Sequence, residues 1–266
     1  MIVISVTANQ YELLPKEYPS YQPKSFSHSQ NESYWRCPYW YYLNKIVRLP
    51  EPPNHYAVFG TLIHTIVEED GIARIKHGKR LTYKSLLSKF KARFHNTRIP
   101  FRWNNIKERY YQFGLDMIEN YATNRPRKIH SVELKFKLKD IISVPITGII
   151  DVICKDENGY SIMDYKTGNP YSKEDMLKNN QLTLYSLAIE KTYGEWPNDS
   201  LYYFLKTGDV LSEKKTKDQV DVMIESYKSA LQNINAGNFD KSCDNSWWCS
   251  NICGYGIKNI CPRKAK

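Results

Sequence analysis

The order of the sequence patterns predicts an α/β fold in which helices cover both sides of a central mixed sheet. Apolar residues recur at helical spacing through about residues 50–125, and several strands follow that part of the chain. Three of the strand patterns lie near residues 131–138, 144–154 and 160–166. A helix, a strand and a last helix come after them, which is the element order expected of a layered α/β protein.

The N-terminal half predicts an irregular start followed by helices. Residues 1 to about 23 are expected to form a short strand and an irregular arm. A helix is expected to begin near Ser27, within a dense aromatic patch that runs to Asn44. The sequence Pro50-Glu51-Pro52-Pro53 predicts a stiff linker. Amphipathic patterns then predict three helices, at about 58–75, 83–94 and 104–123.

The C-terminal half predicts the sheet and the last helices. β-Branched residues dominate 149–153, and Asn158-Gly159 favours a hairpin turn into the next strand, because glycine accepts a positive φ at little steric cost. The remaining elements are expected to be a helix from Asn180 to about Tyr193, a strand over 200–206 and a helix over about 216–235. A cysteine-rich tail closes the chain.

The charge of the chain favours an anionic partner. The formal net charge is +10 and the isoelectric point is near 9.1, as in many nucleic-acid-binding proteins. Between Arg74 and Arg109, basic residues alternate with the aromatic residues Tyr83, Phe90 and Trp103. Such a stretch can track phosphates and stack bases. It can equally be a solvated helical face with its aromatic side chains in the core.

Several other classes of protein lack their signatures here. The apolar run Met1–Val6 is too short for a signal peptide, and no charged segment accompanies it. No stretch approaches about 20 apolar residues, the length of a membrane span. The chain has no Walker A lysine loop, no G-x-G-x-x-G and no G-x-S-x-G. We therefore expect a cytoplasmic protein (in the host cytoplasm if the chain is viral) without its own nucleotide motor.

Two carboxylates and a lysine form the most informative pattern. Asp151 lies in one β-branched strand, and Asp164 and Lys166 lie in the next one, across the predicted hairpin. Residues two apart on a strand share a face, so Asp164 and Lys166 should point together. Carboxylate oxygens are ligands for hard divalent cations, and a nearby lysine can steady an attacking water or a developing charge.

Two helices carry further polar residues at matching spacing. Gly60-x-x-x-His64 lies in the opening turns of the first long helix, where the alternative is a histidine that flanks an apolar face. Gln181 and Tyr185 are four residues apart, so they share a helix face shortly after the strand of Asp164. Here the alternative is an ordinary half-buried tyrosine beside a polar neighbour.

Taken in order, these residues resemble the PD-(D/E)xK nuclease superfamily, in particular its RecB-like branch. That branch includes the nuclease domains of RecB, of AddA and AddB, and of CRISPR-associated exonucleases. The order His64, Asp151, Asp164, Lys166, Gln181, Tyr185 follows the order of the family motifs. The resemblance covers about residues 27–262 and implies a restriction-endonuclease-like core. Asp164 stands where many members have glutamate.

The resemblance also implies roles for these residues. Asp151 and Asp164, with His64 and the carbonyl group of Tyr165, would hold one or two Mg or Mn ions. Lys166 would orient the attacking water and stabilise charge in the transition state. The remaining pair, Gln181 and Tyr185, would position the DNA strand.

Glu133, on the preceding strand, is a further candidate for the metal site, because some relatives use a glutamate near there. The alternative is a solvent-facing residue on an edge strand. The resemblance further predicts a single domain over 1–266, with a helical subregion at about 50–125, a catalytic core at 131–210 and a tail at 243–262.

The six cysteines point to a bound metal, because a protein of the cytoplasm keeps its thiols reduced. One early cysteine and three late ones resemble the iron–sulfur staple of AddB-type and CRISPR-associated members. The resemblance implies that a 4Fe–4S cluster is held by Cys37, Cys249, Cys253 and Cys261. The spacing of the last three departs from the common family pattern.

Two points about the cysteines stay open. Cys243 could replace one of the four ligands, and a four-thiolate zinc site is an alternative to the cluster. Cys154 lies three residues after Asp151, so it is expected on the opposite side of the sheet as a small buried side chain.

The predicted function is that of a Mg- or Mn-dependent DNA exonuclease with a preference for single-stranded ends, acting in repair, recombination, or phage or CRISPR DNA processing. Its expected partners are DNA and a helicase, recombination or CRISPR protein that would supply any unwinding. Two alternatives belong to other classes of protein: a DNA-binding subunit that does not cut, and a zinc-stabilised nucleic-acid-binding module.

Overall fold

A computed structural model describes residues 20–126, 128–240 and 247–261. The helices of these residues are α1 (His28–Arg36), α2 (Pro38–Tyr41), α3 (His55–His77), α4 (Tyr83–Asn96), α5 (Asn104–Asn124), α6 (Lys173–Lys178), α7 (Gln181–Tyr193), α8 (Asp218–Asn235), α9 (Trp247–Asn251) and α10 (Gly254–Ile257). A π-helical turn, Tyr42–Ile46, follows α2. The strands are β1 (Ile129–Leu138), β2 (Ile146–Asp156), β3 (Gly159–Lys166), β4 (Asp199–Phe204) and β5 (Asp209–Glu213).

The five strands form one mixed sheet in the order β1-β2-β3-β4-β5. β3 and β4 are parallel, and the other neighbouring pairs are antiparallel. A parallel pair needs a crossover connection, which α6 and α7 supply here between β3 and β4. The predicted α/β fold with a mixed sheet is confirmed.

Helices cover both faces of the sheet, and each face has its own apolar cluster. We call one side the α7 face, where α1, α2, α7 and α8 pack on residues such as Ile150 and Ile162. We call the other side the α3 face, where α3, α4 and α5 pack on residues such as Val152, Met163 and Tyr203.

The predicted elements lie within three residues of the observed ones, and helix caps explain the largest difference. α3 begins before the predicted residue 58, because the Asn54 side chain accepts a hydrogen bond from the Ala57 N–H at 2.9 Å. It ends at His77, and the C-cap residue Gly78 has a φ of 63°, a left-handed conformation that favours glycine. Strand β5 was not predicted, since its short sequence is polar and mostly exposed. The predicted N-terminal strand and most of the arm lie outside the described residues.

The regular alternation of β1 and β2 breaks at one level of the sheet. Val132 and Val152 are paired and pack on the α3 face. Two residues along, the paired Leu134 and Ile150 pack on the α7 face instead. Residues two apart would share a face in a regular strand, so both strands change face here. The residue between on β1, Glu133, has a φ of 49°, which a non-glycine residue seldom adopts.

This change of face corrects one expectation. Cys154 was predicted to lie on the side of the sheet opposite Asp151. Cys154 packs against the cluster of the α3 face, and Asp151 approaches the same side through a contact with His64 of α3. The expected alternation of side chains between the two faces does not hold here, because Asp151 lies at the level where β2 changes face. Cys154 is also half-buried rather than fully buried.

A buried carboxylate links the ends of α3 and α5. Asp70 is fully buried, and it accepts hydrogen bonds from Tyr121 Oη at 2.9 Å and from the Leu81 N–H at 2.6 Å. Arg125 Nη1 lies 2.9 Å from Asp70 Oδ1. A buried charge with these partners holds the helical layer in one arrangement, because the loss of any partner leaves polar atoms unsatisfied.

Asp70→Ala should lower the free energy of unfolding by about 3–5 kcal/mol, because Arg125 and Tyr121 would be left buried without their acceptor. Urea denaturation measures this change. Glu174→Ala is the matched control, since Glu174 forms an exposed pair with Lys178. It should cost less than about 1 kcal/mol. Equal effects of the two substitutions would contradict the structural role of Asp70.

Candidate active site

His64 and Asp151 face each other between α3 and β2. Their Nδ1 and Oδ2 atoms are 3.6 Å apart, and the same Asp151 oxygen accepts a hydrogen bond from the Tyr165 N–H at 2.9 Å. α3 lies very close to β1: a Cβ added to Gly71 would be only 2.6 Å from the Val132 side chain. Glycine at this position therefore allows the approach that brings His64 to the sheet.

The second group of residues forms a continuous network around Lys166. Its Nζ lies 2.6 Å from Asp164 Oδ2 and donates to Gln181 Oε1 at 2.7 Å. The amide nitrogen of Gln181 lies 2.9 Å from both Asp164 Oδ1 and the Tyr185 hydroxyl. The two residues expected to point together, Asp164 and Lys166, do so. The structure thus brings together all six residues of the predicted motifs.

The site holds more carboxyl groups than basic groups, and these carboxyl groups are at least partly removed from solvent. Burial raises the pKa of the Asp151 carboxyl well above its ordinary value, and the charge of Asp164 adds to this, against the hydrogen bond from Tyr165. Burial also raises the pKa of Glu133, helped by the charges of Glu68 and Asp164. Neighbouring carboxyl groups disfavour each other's ionisation, and a bound divalent cation would stabilise their ionised forms.

The pKa values of the two basic side chains, His64 and Lys166, are shifted in opposite directions. Burial lowers the pKa of His64, so the imidazole is neutral at neutral pH and keeps a lone pair for a metal ion. Burial also acts to lower the pKa of Lys166, but the charge and hydrogen bond of Asp164 outweigh it and the net shift is upward. Lys166 therefore stays an ammonium group inside the site.

Glu68 is a site residue that the sequence analysis missed. It lies one helical turn after His64, on the same face of α3, and lines the same narrow cleft as Asp151 and Glu133. The four-residue spacing from His64 was the available signal. It was hidden because Glu68-Glu69 looks like an ordinary exposed acidic pair, and Glu69 does point elsewhere, toward Arg93.

The residues of the cleft suit a hard divalent cation in their chemistry. The cleft has a volume of about 10 Å³, about one water or ion, and is lined by His64, Glu68, Glu133, Asp151 and Tyr165. Within the described residues, no three His, Cys, Asp or Glu side chains already gather in metal-binding geometry. Asp164 is turned toward Lys166 and Gln181. The carboxylate and imidazole donors fit Mg or Mn.

The predicted staple cysteines lie in one region, except for Cys243, which lies outside the described residues. Cys37 and Cys253 are buried in the cluster of the α7 face, and Cys261 packs against it. Cys249 is also buried, but it is disulfide-bonded in this structure. The described cysteines do not gather into a group of three that could hold a metal.

Two of these sulfurs sit at helix starts and accept backbone hydrogen bonds. Cys37 Sγ accepts from the Trp40 N–H at 3.3 Å, and Cys253 Sγ accepts from the Gly256 N–H at 3.4 Å. Burial raises the pKa of the Cys253 thiol to about 11, so a metal would have to displace its proton. N–H groups aimed at sulfur stabilise thiolate ligands.

The basic and aromatic stretch of α4 is largely structural. Phe90 and Phe94 are buried on the α3 face, and both Lys89 and Arg93 pair with Glu69. For these residues the interpretation as a helical face with aromatic residues in the core is correct. Trp103 differs, because 63% of its side chain is exposed.

Trp103 borders a cavity of about 470 Å³ between the start of α3 and the C-terminal segment. Tyr56 and Arg102 also line it, as does Lys258. The Arg102 guanidinium lies 5.9 Å from the centre of the Trp103 ring. Exposed aromatic rings beside cations are the side chains on which unpaired bases stack.

Comparison with known proteins identifies the family to which this chain belongs. The family model of the PD-(D/E)XK nuclease superfamily matches residues 25–262, and the chain belongs to that superfamily. The chain is 25% identical over 261 residues to the Gene 69 protein of Mycobacterium phage D29, covering 83% of this chain and 94% of that protein. The crystal structure of SSO0001 matches 76% of this chain and 96% of its own at 12% identity, with a TM-score of 0.33. No described helix is long and apolar enough to cross a membrane.

In metal-free protein, Asp151→Asn should raise the free energy of unfolding by about 1 kcal/mol, because it removes a carboxyl group whose ionised form is costly to hold in the site and keeps an oxygen for the Tyr165 N–H. Mn²⁺ should raise the melting temperature of the wild-type protein and leave that of the variant nearly unchanged. Thermal unfolding in EDTA and in Mn²⁺ measures both effects.

The control for this comparison is Asp209→Asn, at an exposed position of β5. It should respond to Mn²⁺ as the wild-type protein does. A full Mn²⁺ shift in Asp151→Asn would place the cation elsewhere and contradict the site described above.

Proposed function

We propose that this protein is a Mg- or Mn-dependent deoxyribonuclease that hydrolyses phosphodiester bonds from DNA ends. The observation that carries the proposal is the half-buried Lys166 ammonium held between Asp164 and Gln181, next to the His64–Asp151 pair. A lysine and several carboxylates beside a cation-sized cleft are the groups that a metal-dependent hydrolase needs to activate a water molecule for attack on a phosphodiester.

The cation would be held by Asp151, Asp164, His64 and the Tyr165 carbonyl, with Glu68 and Glu133 beside it. When bound, it would polarise the scissile phosphate and lower the pKa of a water molecule. Asp164 would turn part of its carboxylate from Lys166 toward the ion. The excess of buried carboxylates supports this arrangement.

Lys166 would orient the attacking water and stabilise the negative charge that develops on the phosphate oxygens. Gln181 holds the Lys166 ammonium through its carbonyl oxygen and Asp164 through its amide nitrogen. It thereby fixes both groups in one geometry. Tyr185 in turn fixes the amide of Gln181, so the pair positions catalytic groups as well as the DNA strand.

A preference for single-stranded ends is supported by the cavity beside Trp103. Its exposed ring, with Tyr56 and Arg102, offers stacking surface and positive charge to an unpaired base. Double-stranded DNA keeps its bases stacked on one another and would not use such a surface. Exonuclease action and a role in repair, recombination, or phage or CRISPR DNA processing rest on the resemblance to the RecB-like branch.

We further propose that Cys37, Cys249, Cys253 and Cys261 hold a 4Fe–4S cluster, with four-thiolate zinc as the alternative metal. The location of Cys37, Cys253 and Cys261 in one cluster, and the N–H groups aimed at two sulfurs, support a shared ligand. Cys249 would have to be reduced to join them. Cys243 would be the substitute ligand.

A DNA-binding subunit that does not cut, or a zinc-stabilised binding module, would need neither Lys166 nor its buried partners. The closed network around Lys166 therefore favours the nuclease. A helicase or a recombination or CRISPR protein is the proposed partner for unwinding. The proposed location is the cytoplasm, or the host cytoplasm for a viral chain.

Lys166→Ala and Asp164→Ala should each reduce cleavage of labelled single-stranded DNA by at least about 100-fold in Mg²⁺ or Mn²⁺, because charge stabilisation is lost in the transition state. Lys155→Ala is the control, since Lys155 lies on the neighbouring strand and contacts the Tyr160 hydroxyl. It should cleave at the wild-type rate. Wild-type rates in folded Lys166→Ala and Asp164→Ala proteins would refute the assignment.

Cys37→Ser and Cys261→Ser proteins, purified without oxygen, should lose their metal and melt at a lower temperature, because metal binding contributes to folding. Metal analysis and an absorbance band near about 400 nm distinguish an iron–sulfur cluster from zinc. Cys154→Ser is the control and should retain the metal. Unchanged metal content in both staple variants would overturn the cysteine assignment.

A further inference from the structure

A second cavity adjoins the Lys166 network beside the start of α7. It has a volume of about 590 Å³ and is lined by Gln181 and Tyr185, the two residues that hold the network in place. The start of α1 and the neighbouring strands β1 and β2 supply the rest of its lining. The polar residues among these are Ser27, His28, Ser29, Lys135 and Thr147. None of them belongs to the predicted motifs.

His28 offers this cavity a neutral hydrogen-bond donor. Burial lowers the pKa of His28 to about 3, and the charge of Lys166 acts in the same direction. Its Nδ1 lies 3.3 Å from the Tyr227 hydroxyl. If that hydroxyl donates to Nδ1, the ring proton is on Nε2. Within the described part of the chain, Nε2 has no hydrogen-bond partner, so it can donate to a ligand in the cavity.

Lys135 adds the positive charge. It is exposed on β1 and pairs in register with Ile149, two residues before Asp151 on β2. Two residues along a strand span about 7 Å, so Lys135 lies roughly one nucleotide step from the level of Asp151. If a DNA strand places one phosphate at the cleft of Asp151, its neighbouring phosphate would therefore lie near Lys135.

We propose that this cavity binds the phosphate that neighbours the scissile one, through the Nε2–H of His28, the ammonium of Lys135 and the hydroxyls of Ser27 and Ser29. The proposal rests on the proposed nuclease function and names where the DNA strand runs relative to the Lys166 network. The two hydroxyls lie 3.0 Å from each other, close enough to share one anion. Ile149, 41% exposed, offers an apolar contact to the adjoining sugar.

The test is a scan with single neutral methylphosphonates along a fluorescent single-stranded oligonucleotide, with affinity measured in Ca²⁺ so that the strand stays intact. The wild-type protein should lose about 5–20-fold in affinity at one phosphate beside the cleavage position, the loss expected for one charged contact. Lys135→Ala and His28→Gln should weaken binding of the unmodified strand by a similar factor. Both should show a smaller further loss at that phosphate than the wild-type protein does, because part of the contact is already gone.

Two further measurements sharpen the result. Lys135→Ala should reduce the slope of log affinity against log salt by about 0.7, the value for one phosphate contact to a single strand. Lys139→Ala, an exposed lysine just beyond β1 and outside the cavity, should keep the wild-type methylphosphonate pattern.

The inference is overturned if Lys135→Ala and His28→Gln keep the wild-type sensitivity at every phosphate. Lys135 is exposed, so its substitution probes the cavity without a risk to folding. Failure of the wild-type protein to bind or cleave DNA with any divalent cation would instead remove the proposed nuclease function, and the phosphate subsite with it.

Discussion

The ion pair between Lys166 and Asp164 is the constraint on which the architecture of the site depends. Both side chains are largely removed from solvent, and such a pair is stable only when every remaining polar atom finds a partner. Gln181 supplies those partners from the first residue of α7. The crossover from β3 through α7 to the parallel strand β4 places that helix start beside Lys166. The parallel connection between β3 and β4 therefore shapes this side of the site.

The loop before α7 is held by a buried lysine. Lys215 pairs with Glu213 and donates to the carbonyl oxygens of Met176 and Asn179, at 3.5 and 3.4 Å. The side chain of Asn179 in turn accepts a hydrogen bond from the Gln181 N–H. Edge strand β5 thus supports the Lys166 network from a distance. On the other side of the sheet, the close approach of α3 brings His64 and Glu68 to the level where β1 and β2 change face. The result is a narrow cleft with more carboxylates than cations.

Local patterns predicted most of the fold and the ordered motif residues, because strand alternation, helix spacing and turn chemistry are short-range properties. The hairpin that joins Asp151 to Asp164 and the face shared by Gln181 and Tyr185 are examples. The change of face at Glu133 and Asp151 could not be predicted, since it arises where two neighbouring strands distort together. Glu68, and the role proposed for His28, could not be predicted for a related reason. Their chemistry depends on what packs opposite them, and α1 meets the site only through the folded sheet.

The cysteine region shows the same limit, since spacing alone cannot bring four sulfurs to one point or choose their metal. Anomalous diffraction from crystals soaked in Mn²⁺ would locate a cation bound in the cleft of Asp151. One strong peak is expected within coordination distance of His64, Asp151 and Asp164, with the Asp164 carboxylate turned partly away from Lys166. A Mn²⁺ ion bound by other residues, with this cleft empty at saturating metal, would contradict a metal site at Asp151.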